Sequence, residues 1–427
     1  MTGTAPTALE ARRVPTQPES SLLIEGARVA DGPTQSVEAT IEIRRGRIRN
    51  ILPGVMQRRS SRARTAGSRL DLSGYLVLPG LVNAHDHLEF NLFPRLGSGP
   101  YHNFREWAED VYRPDQSPAR DQLQIPKSVR IWWGALKNLL SGVTTVCHHN
   151  PPISGPLNKQ LPVQVLRQYG WAHSLEYGGD IAKAFGATPP NAAFIIHLAE
   201  GTDESSKGEI FELDRRGALS PQTAIVHGVG LDASGHELLE QCGASLVWCP
   251  TSNLFTLGRT LEVCDVMRHR RVALGSDSAM TARGDLLDEI HYAYSEARVG
   301  AERTYSMVTD SAAQVLRLPY GAGALARGGP ADLIAVRDEG LPPCNTLVNL
   351  RQEHLELVMV GGELRLLSRN LADRWPENSL EGFEPLHVGS MGKLVKAPVT
   401  ALLEQARAFL GPRTSGFQGA IPLAPPS

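Results

Sequence analysis

The stretch PGLVNAHDHLEF at residues 79–90 marks the point where the character of the chain changes and the first chemistry-bearing side chains occur. An apolar run leads into His85 and His87. The alternation of side chains along a strand places both imidazoles on one side of the strand end, with Asp86 turned away. Neutral imidazole nitrogens are good ligands for zinc or iron. The HxH spacing alone is a weak signal, because surface histidines also produce it, so a metal site needs support from elsewhere in the chain.

The segments on either side of this stretch indicate two domains. Short β-like runs with Gly and polar punctuation predict an antiparallel sheet over residues 21–76, and similar runs return over residues 325–370. Between them, residues 77–324 alternate strand-like and helix-like segments, which is typical of βα units around a parallel sheet. We therefore expect an α/β fold in which a barrel is inserted into a small β domain formed by both chain ends.

The chain ends and one internal loop fall outside this scheme. Residues 1–20 are rich in Pro, Thr, Ser and Arg without periodicity, which predicts a disordered leader. Residues 371–427 contain one predicted helix, VTALLEQARAFLG, and end in a Pro-rich segment. The basic stretch from Arg58 to Arg64 lies between two predicted strands, and we interpret it as a solvated loop.

Three further apolar runs end in a polar side chain followed by a polar or Gly-rich turn. His197 ends AFIIH and is followed three residues later by Glu200, His227 ends TAIVH, and Asp277 follows VALGS. Such groups meet at one rim of a parallel barrel, where strand ends form the active site. Taken singly, His197 is also compatible with a hydrogen-bonded core histidine, but four strand ends of this kind are hard to explain by packing.

In order and spacing, these motifs resemble the amidohydrolase superfamily, and most closely its triazine-hydrolase and nucleobase-deaminase branch. The resemblance implies a (β/α)8 TIM barrel, here the metal-dependent hydrolase domain, within a β-sandwich domain. It also implies one divalent metal, Zn²⁺ first and Fe²⁺ second, bound by His85, His87, His197 and Asp277. The resemblance covers residues 21 to about 365 and is carried by PGLVNAHDHLEF (79–90), GVTTVCHHN (142–150), HLAEG (197–201), HGVG (227–230), WCPTSNLFTLG (248–258), LGSDSAMTARGDLLDEI (274–290) and GALARGGPADLIAV (323–336).

A single metal is favoured because of a residue type that is missing. Binuclear members of the family usually bridge two metals with a lysine or carboxylate at the end of the fourth strand. The corresponding segment, GWAHSLEYGGD at residues 170–180, has no lysine, although Glu176 offers a carboxylate. The HxxE arrangement of His197 and Glu200 is similar to the mononuclear deaminase pattern.

The resemblance also implies catalytic roles. Zinc lowers the pKa of bound water to about 7, and Asp277 is placed to take the proton of that water. Glu200 acts as the proton shuttle to a ring nitrogen and then to the leaving group. His227 orients the attacking oxygen or stabilises developing charge.

Four further residues are candidate substrate contacts. Asn253 in CPTSN is a candidate site-lining residue, with a structural role in a Pro/Ser turn as the alternative. His148 and His149 end the third apolar run after residue 79, and alternation lets only one of them face the site. Trp107 lies in a segment that can cover the pocket in the family, with helix anchoring as the alternative.

We expect the protein to hydrolyse a carbon–nitrogen bond other than a peptide bond. The leading hypothesis is hydrolytic deamination of an amino-substituted N-heterocycle. The same site could instead expel chloride, release an alkylamine or open a cyclic amide, and a non-catalytic scaffold is the remaining alternative. Asp86, CHHN and GSDS depart from the branch's usual residues, which indicates a different pocket, so the reaction class is carried over and the substrate is not.

Composition excludes several other classes of function. Hydrophobic residues make up 41% and charged residues 21% of the 427 residues, enough for a sizeable core, and the net charge of −2 disfavours nucleic-acid or membrane partners. We expect a small-molecule substrate. The five cysteines form no CxxC pair and the N-terminus has no apolar signal region, so we expect a cytoplasmic protein. A homo-oligomer is compatible with the family, but no number of subunits follows from the sequence.

Overall fold

The structure is a computed structural model that describes residues 21–54, 67–375 and 380–410. The predicted leader at residues 1–20, the loop from Arg58 to Arg64 and the Pro-rich end all lie outside the described residues. None of the helices in the described part of the chain has the length and apolar character needed to cross a bilayer.

The described part of the chain begins with strands of the small domain. In this sheet β1 pairs antiparallel with β2 and parallel with both β4 and β5, and β2 pairs antiparallel with β3. The five strands are β1 (Ser21–Ala30), β2 (Ser36–Arg44), β3 (Arg47–Pro53), β4 (Gly67–Asp71) and β5 (Tyr75–Pro79).

Eight parallel strands then form the barrel predicted from the alternating pattern. Strands β6, β7 and β8 form one hydrogen-bonded sheet in that order, and strands β9 through β13 form a second sheet in chain order. Asp86 at the end of β6 forms a parallel bridge with Asp277, which follows β13, and so closes one seam. Only residues 166–169 separate β8 from β9, so this βα unit lacks its helix. The strands are β6 (Leu81–Asp86), β7 (Val143–His148), β8 (Gln164–Val165), β9 (Gly170–Ala172), β10 (Phe194–Leu198), β11 (Thr223–His227), β12 (Ser245–Trp248) and β13 (Val272–Leu274).

Helices cover the outside of the barrel. The longest, α3, packs so closely on the segment after His87 that a Cβ at Gly134 would lie 2.2 Å from the Leu88 carbonyl oxygen. Glycine is therefore required where α3 crosses the segment that follows His87. The helices up to the end of the barrel are α1 (Phe104–Val111), α2 (Ala119–Gln124), α3 (Lys127–Leu140), α4 (Gly155–Gln160), α5 (Ile181–Gly186), α6 (Glu204–Arg215), α7 (Ala233–Gln241), α8 (Pro250–Leu257), α9 (Val263–Arg268), α10 (Leu286–His291), α11 (Ala301–Ser306) and α12 (Asp310–Val315), with short 3-10 and π turns at Leu88–Phe90 and Tyr292–Glu296.

The C-terminal part of the chain completes the small domain. Its strand β14 pairs antiparallel with β5, which joins the two chain ends in one ten-stranded mixed sheet. The sheet extends beyond the predicted boundary at residue 370, because β17 and β18 add to its edge next to β16. Helix α15 coincides with the predicted C-terminal helix. The remaining elements are β14 (Leu333–Arg337), α13 (Pro343–Val348), a 3-10 turn at Gln352–His354, β15 (Leu355–Val360), β16 (Glu363–Ser368), α14 (Arg369–Ala372), β17 (Glu384–Val388), β18 (Met391–Val395) and α15 (Val399–Leu410).

Strand alternation connects the two domains. In β5, Tyr75 and Val77 are buried in the core of the small domain, whereas Leu76 and Leu78 are buried in the core shared with the barrel helices. One strand with apolar side chains on both faces thus serves two cores, as expected for a sheet covered on both sides. The predicted fold class, a barrel with a β domain built from both chain ends, is confirmed.

Candidate metal centre

Three barrel strands bring the four predicted metal ligands to one rim. His85 lies near the end of β6, His87 follows that strand, His197 lies in β10, and Asp277 follows β13. All four are buried, at 0–7% exposure. The barrel interior below them is filled by apolar side chains such as Val82, so the polar groups collect at the strand ends.

The donor atoms of these residues converge. The Nε2 atom of His197 lies 3.2 Å from His85 Nε2 and 3.3 Å from His87 Nε2. Asp277 Oδ1 lies 3.8 Å from His85 Nε2 and 3.7 Å from His87 Nε2. Two groups of side chains in the described part of the chain are spaced to hold a metal ion: His85, His87, His149 and His197, and His85, His227 and Asp277.

These separations fit one zinc ion. Tetrahedral zinc with bonds of about 2.1 Å has neighbouring donors about 3.4 Å apart, close to the separations between the four donor atoms. Burial and the neighbouring histidines also hold the pKa values of His85 and His197 well below the usual range, which keeps both rings neutral. Neutral nitrogen donors beside a carboxylate are the chemistry that zinc prefers.

His149 determines which nitrogen His85 offers. Its Nε2 lies 2.9 Å from the Ala172 carbonyl oxygen, which can only accept, so His149 Nε2 carries the proton. Burial lowers the pKa of His149 well below its usual range, and its Nδ1 is therefore an acceptor. His85 Nδ1 lies 3.3 Å from that atom and must donate to it. The His85 Nε2 lone pair is then left facing His87, His197 and Asp277.

Glu200 and His227 form a pair beside the ligands. Glu200 Oε2 lies 3.5 Å from His227 Nε2, and the His227 and His197 rings are 5.2 Å apart. Burial raises the pKa of Glu200 to about 7, although His227 opposes the shift. A carboxyl group that titrates near neutrality suits both halves of a proton transfer.

Asn253 forms a hydrogen bond with the other ring nitrogen of His227, Nδ1. Trp248 Nε1 can only donate, and it does so to Thr260 Oγ1 at 2.7 Å. Asn253 Nδ2 donates to the same hydroxyl, which turns Asn253 Oδ1 towards His227 Nδ1 at 2.8 Å. His227 therefore carries its proton on Nδ1. Asn253, predicted as a substrate contact, is 1% exposed and is positioned to act through His227.

The second oxygen of Asp277 is held by hydroxyl groups. Ser252 donates to Asp277 Oδ2 at 2.6 Å, and Thr281 lies 3.2 Å from the same atom. The backbone of Asp277 is left-handed, with φ of 51°, as is that of His227, with φ of 76°. Left-handed backbone in non-glycine residues is disfavoured and clusters at functional sites.

The other candidate contacts are placed in different surroundings. His148 Nδ1 accepts from the Leu88 N–H at 3.2 Å, and its ring is buried. Of these two histidines, His149 is the one whose ring contacts a predicted metal ligand, His85, at 3.3 Å between the Nδ1 atoms. Trp107 lies outside the cluster of donor atoms, on α1, and its indole N–H donates to the Leu96 carbonyl oxygen.

The structure adds two residues to the site. His173 directly follows β9, and its ring lies edge-on to His197 with centroids 4.9 Å apart. Its sequence signal was the same as that of His197, a polar residue after an apolar strand. Asp86 is fully buried and accepts from Asn91 at 2.6 Å and from Asn138 at 2.8 Å, which ties the HxH segment to α3.

The chain is similar in sequence to known deaminases. The chain is 23% identical over 387 residues to an 8-oxoguanine deaminase of Pseudomonas aeruginosa, covering 71% of this chain and 85% of that protein. It is 24% identical over 400 residues to a 5-methylthioadenosine/S-adenosylhomocysteine deaminase of Teredinibacter turnerae, covering 78% and 89%.

Solved structures share the fold. An adenosine deaminase of Xanthomonas campestris with bound zinc superposes with a TM-score of 0.67 at 19% identity, covering 92% of this chain and 98% of that one. An atrazine chlorohydrolase of Arthrobacter aurescens complexed with zinc gives 0.67 at 17% identity, covering 91% and 100%.

At one rim of the barrel, the strand ends bring together three imidazoles, a carboxylate and the largely covered Glu200, an arrangement suited to metal-dependent hydrolysis. Residues 187–365, which include the strand ends at His197, His227 and Asp277, match the Amidohydrolase family.

Proposed function

We propose that the enzyme hydrolytically deaminates an amino-substituted nitrogen heterocycle. The observation that carries the proposal is the convergence of four metal-donor atoms beside Glu200, a largely covered carboxyl group whose pKa is raised to about 7. The deaminase relatives support the same reaction class. We expect the substrate to be a small molecule.

His85, His87, His197 and Asp277 would hold one zinc ion, with iron as the alternative. When bound, such an ion supplies Lewis-acid charge and a water whose pKa is lowered to about 7. Ser252 and Thr281 hold one oxygen of Asp277 in place, so its other oxygen keeps its direction.

Glu200 then moves protons. A carboxyl group with a pKa near 7 can deliver a proton to a ring nitrogen while the neighbouring carbon is attacked, and can later protonate the departing amine. His227 presents the lone pair of Nε2 on the same side, since Asn253 holds its Nδ1 proton, and so can accept a hydrogen bond from the attacking oxygen and orient it.

Replacement of Glu200 tests this assignment. In Glu200→Gln, kcat should fall at least about 10²-fold, the contribution of a general acid–base group, while zinc content stays at the wild-type value. Glu204→Gln is the matched control, because that side chain is exposed and lies four residues further on. Near-normal turnover in Glu200→Gln would contradict the role of Glu200.

A second candidate uses the same site with another leaving group. Attack on an electrophilic ring carbon also serves dechlorination, alkylamine release and cyclic amide opening, and the structural likeness to a chlorohydrolase favours testing these reactions. A panel of aminated, chlorinated, alkylaminated and cyclic amide heterocycles, measured for ammonia, chloride, alkylamine and ring opening, ranks them. Chloride release without ammonia release would replace deamination by dechlorination.

A further inference from the structure

The turn between His197 and Glu200 has an unfavourable backbone conformation. Ala199 lies between them, is fully buried and has a φ of 53°. L-residues other than Asn, Asp and His rarely adopt this left-handed region, since Cβ approaches the following carbonyl. The turn therefore depends on surrounding contacts, and it sets the direction in which Glu200 leaves the strand.

Two of these contacts come from neighbouring backbone. The Ala199 carbonyl accepts from the Gly230 N–H at 2.8 Å, and the Glu200 carbonyl accepts from the Phe104 N–H at 3.0 Å. The N–H of Ala199 is bound by a side chain instead. It donates to Glu209 Oε2 at 2.6 Å.

Glu209 is placed in a costly position for a carboxyl group. It lies on α6, and burial raises its pKa to about 7, although the bond from Ala199 and the charge of Arg105 favour the ionised form. The start of α6 has its own cap, because Asp203 accepts from the Ser206 N–H at 2.8 Å. An apolar side chain would fill the position without that desolvation cost, and the Ala199 N–H is the contact that explains the carboxylate.

We propose that Glu209 is a positioning residue, which holds Ala199 in its left-handed turn and thereby aims the Glu200 side chain at the reacting centre. The inference rests on the proposed role of Glu200. It requires an acceptor at position 209 and does not require the negative charge.

Two substitutions separate an acceptor from a charge. Glu209→Gln keeps an oxygen that can accept from the Ala199 N–H, whereas Glu209→Met is similar in length and offers none. Glu212→Met is the matched control on the same helix, where the glutamate pairs with Arg216 on the surface. Each holoenzyme is measured for kcat, KM, zinc content and hydrogen exchange at the Ala199 amide.

Glu209→Met should lower kcat about 10- to 10²-fold with little change in KM, since a misplaced catalytic group loses rate rather than binding. Zinc content should be unchanged, and exchange at Ala199 should accelerate at least about tenfold. Glu209→Gln and Glu212→Met should remain close to wild type in all four measurements.

Three results would overturn the proposal: normal kcat in Glu209→Met, an equal loss in Glu209→Gln, or a loss of activity that follows a loss of zinc. If wild-type enzyme turns over no member of the substrate panel, the proposed function fails, and exchange at Ala199 still decides the contact. Unchanged exchange in Glu209→Met would then overturn the role of Glu209.

Discussion

Removing the ring of His149 should weaken metal binding without removing a metal ligand. His149 accepts the Nδ1 proton of His85 and donates to the Ala172 carbonyl, so it fixes both the orientation and the tautomer of the ligand. His149→Phe keeps an aromatic ring of similar size and loses both hydrogen bonds. His85 could then turn, or place its proton on the nitrogen that should face the metal.

The expected effect is a rise of 10- to 100-fold in the zinc dissociation constant, the usual cost of losing such a partner. This corresponds to about 1.4–2.7 kcal/mol. The assay is a competition titration of the metal-free protein against a chelator of known affinity. His149→Gln, which can still accept from His85, should recover part of the loss.

His236→Phe is the control. His236 is equally buried, but its partner is His269, between α7 and α9. An unchanged dissociation constant in His149→Phe would refute the positioning argument. Complete loss of zinc binding at saturating metal would also refute the argument, because it would show that His149 is itself a ligand. His149 belongs to the group of four histidines that is spaced to hold a metal ion.

Three further predictions concern His227, Glu200 and the domain boundary. Asn253→Leu leaves the His227 Nδ1–H without its buried acceptor, at a cost of about 1–3 kcal/mol, so kcat should fall roughly tenfold or more with zinc retained; unaltered kinetics would contradict the assigned tautomer. The pKa of Glu200 is raised to about 7, and Glu200 can donate a proton only while its carboxyl group is protonated. The value of kcat/KM should therefore decline as the pH rises above about 7. A pH profile without this alkaline decline would contradict the role of Glu200. Burial raises the pKa of Asp332 to about 6. The folded state therefore binds the proton of this carboxyl group more tightly than the unfolded state does. The contribution of that proton to folding stability is present at low pH and is lost as the pH rises from about 4 to 6. Urea unfolding at pH 5 and pH 7 should therefore show Asp332→Asn gaining stability relative to wild type at the higher pH, by an amount on the order of 1–3 kcal/mol; a difference that does not change with pH would contradict the shift.

The parts of the fold that could be predicted from sequence are those with a strong local pattern. Apolar strands ending in His85, His197 or Asp277 carry both the period of a strand and a polar end, and the structure brings these ends together. The short unit at residues 166–169 and the edge strand β17 have no comparable pattern, because their placement depends on neighbouring elements.

Side-chain partners were harder to predict than positions. Alternation indicates on which side of a strand a side chain lies, but not which atom it contacts. Asn253 was therefore a candidate substrate contact, although it supports His227, and His149 was not distinguished from His148. The role of Glu209 depends on the packing of α6 against the turn at Ala199, which is 10 residues away in sequence.

The most direct test of the account is the metal content of purified protein, compared between wild type and His197→Ala. His197 Nε2 is the donor atom closest to both HxH imidazoles. The account predicts one zinc or iron ion per wild-type chain and none retained by the variant, with the fold intact by circular dichroism. A wild-type chain that binds no divalent metal after reconstitution, or a His197→Ala variant that retains a full equivalent, would contradict it.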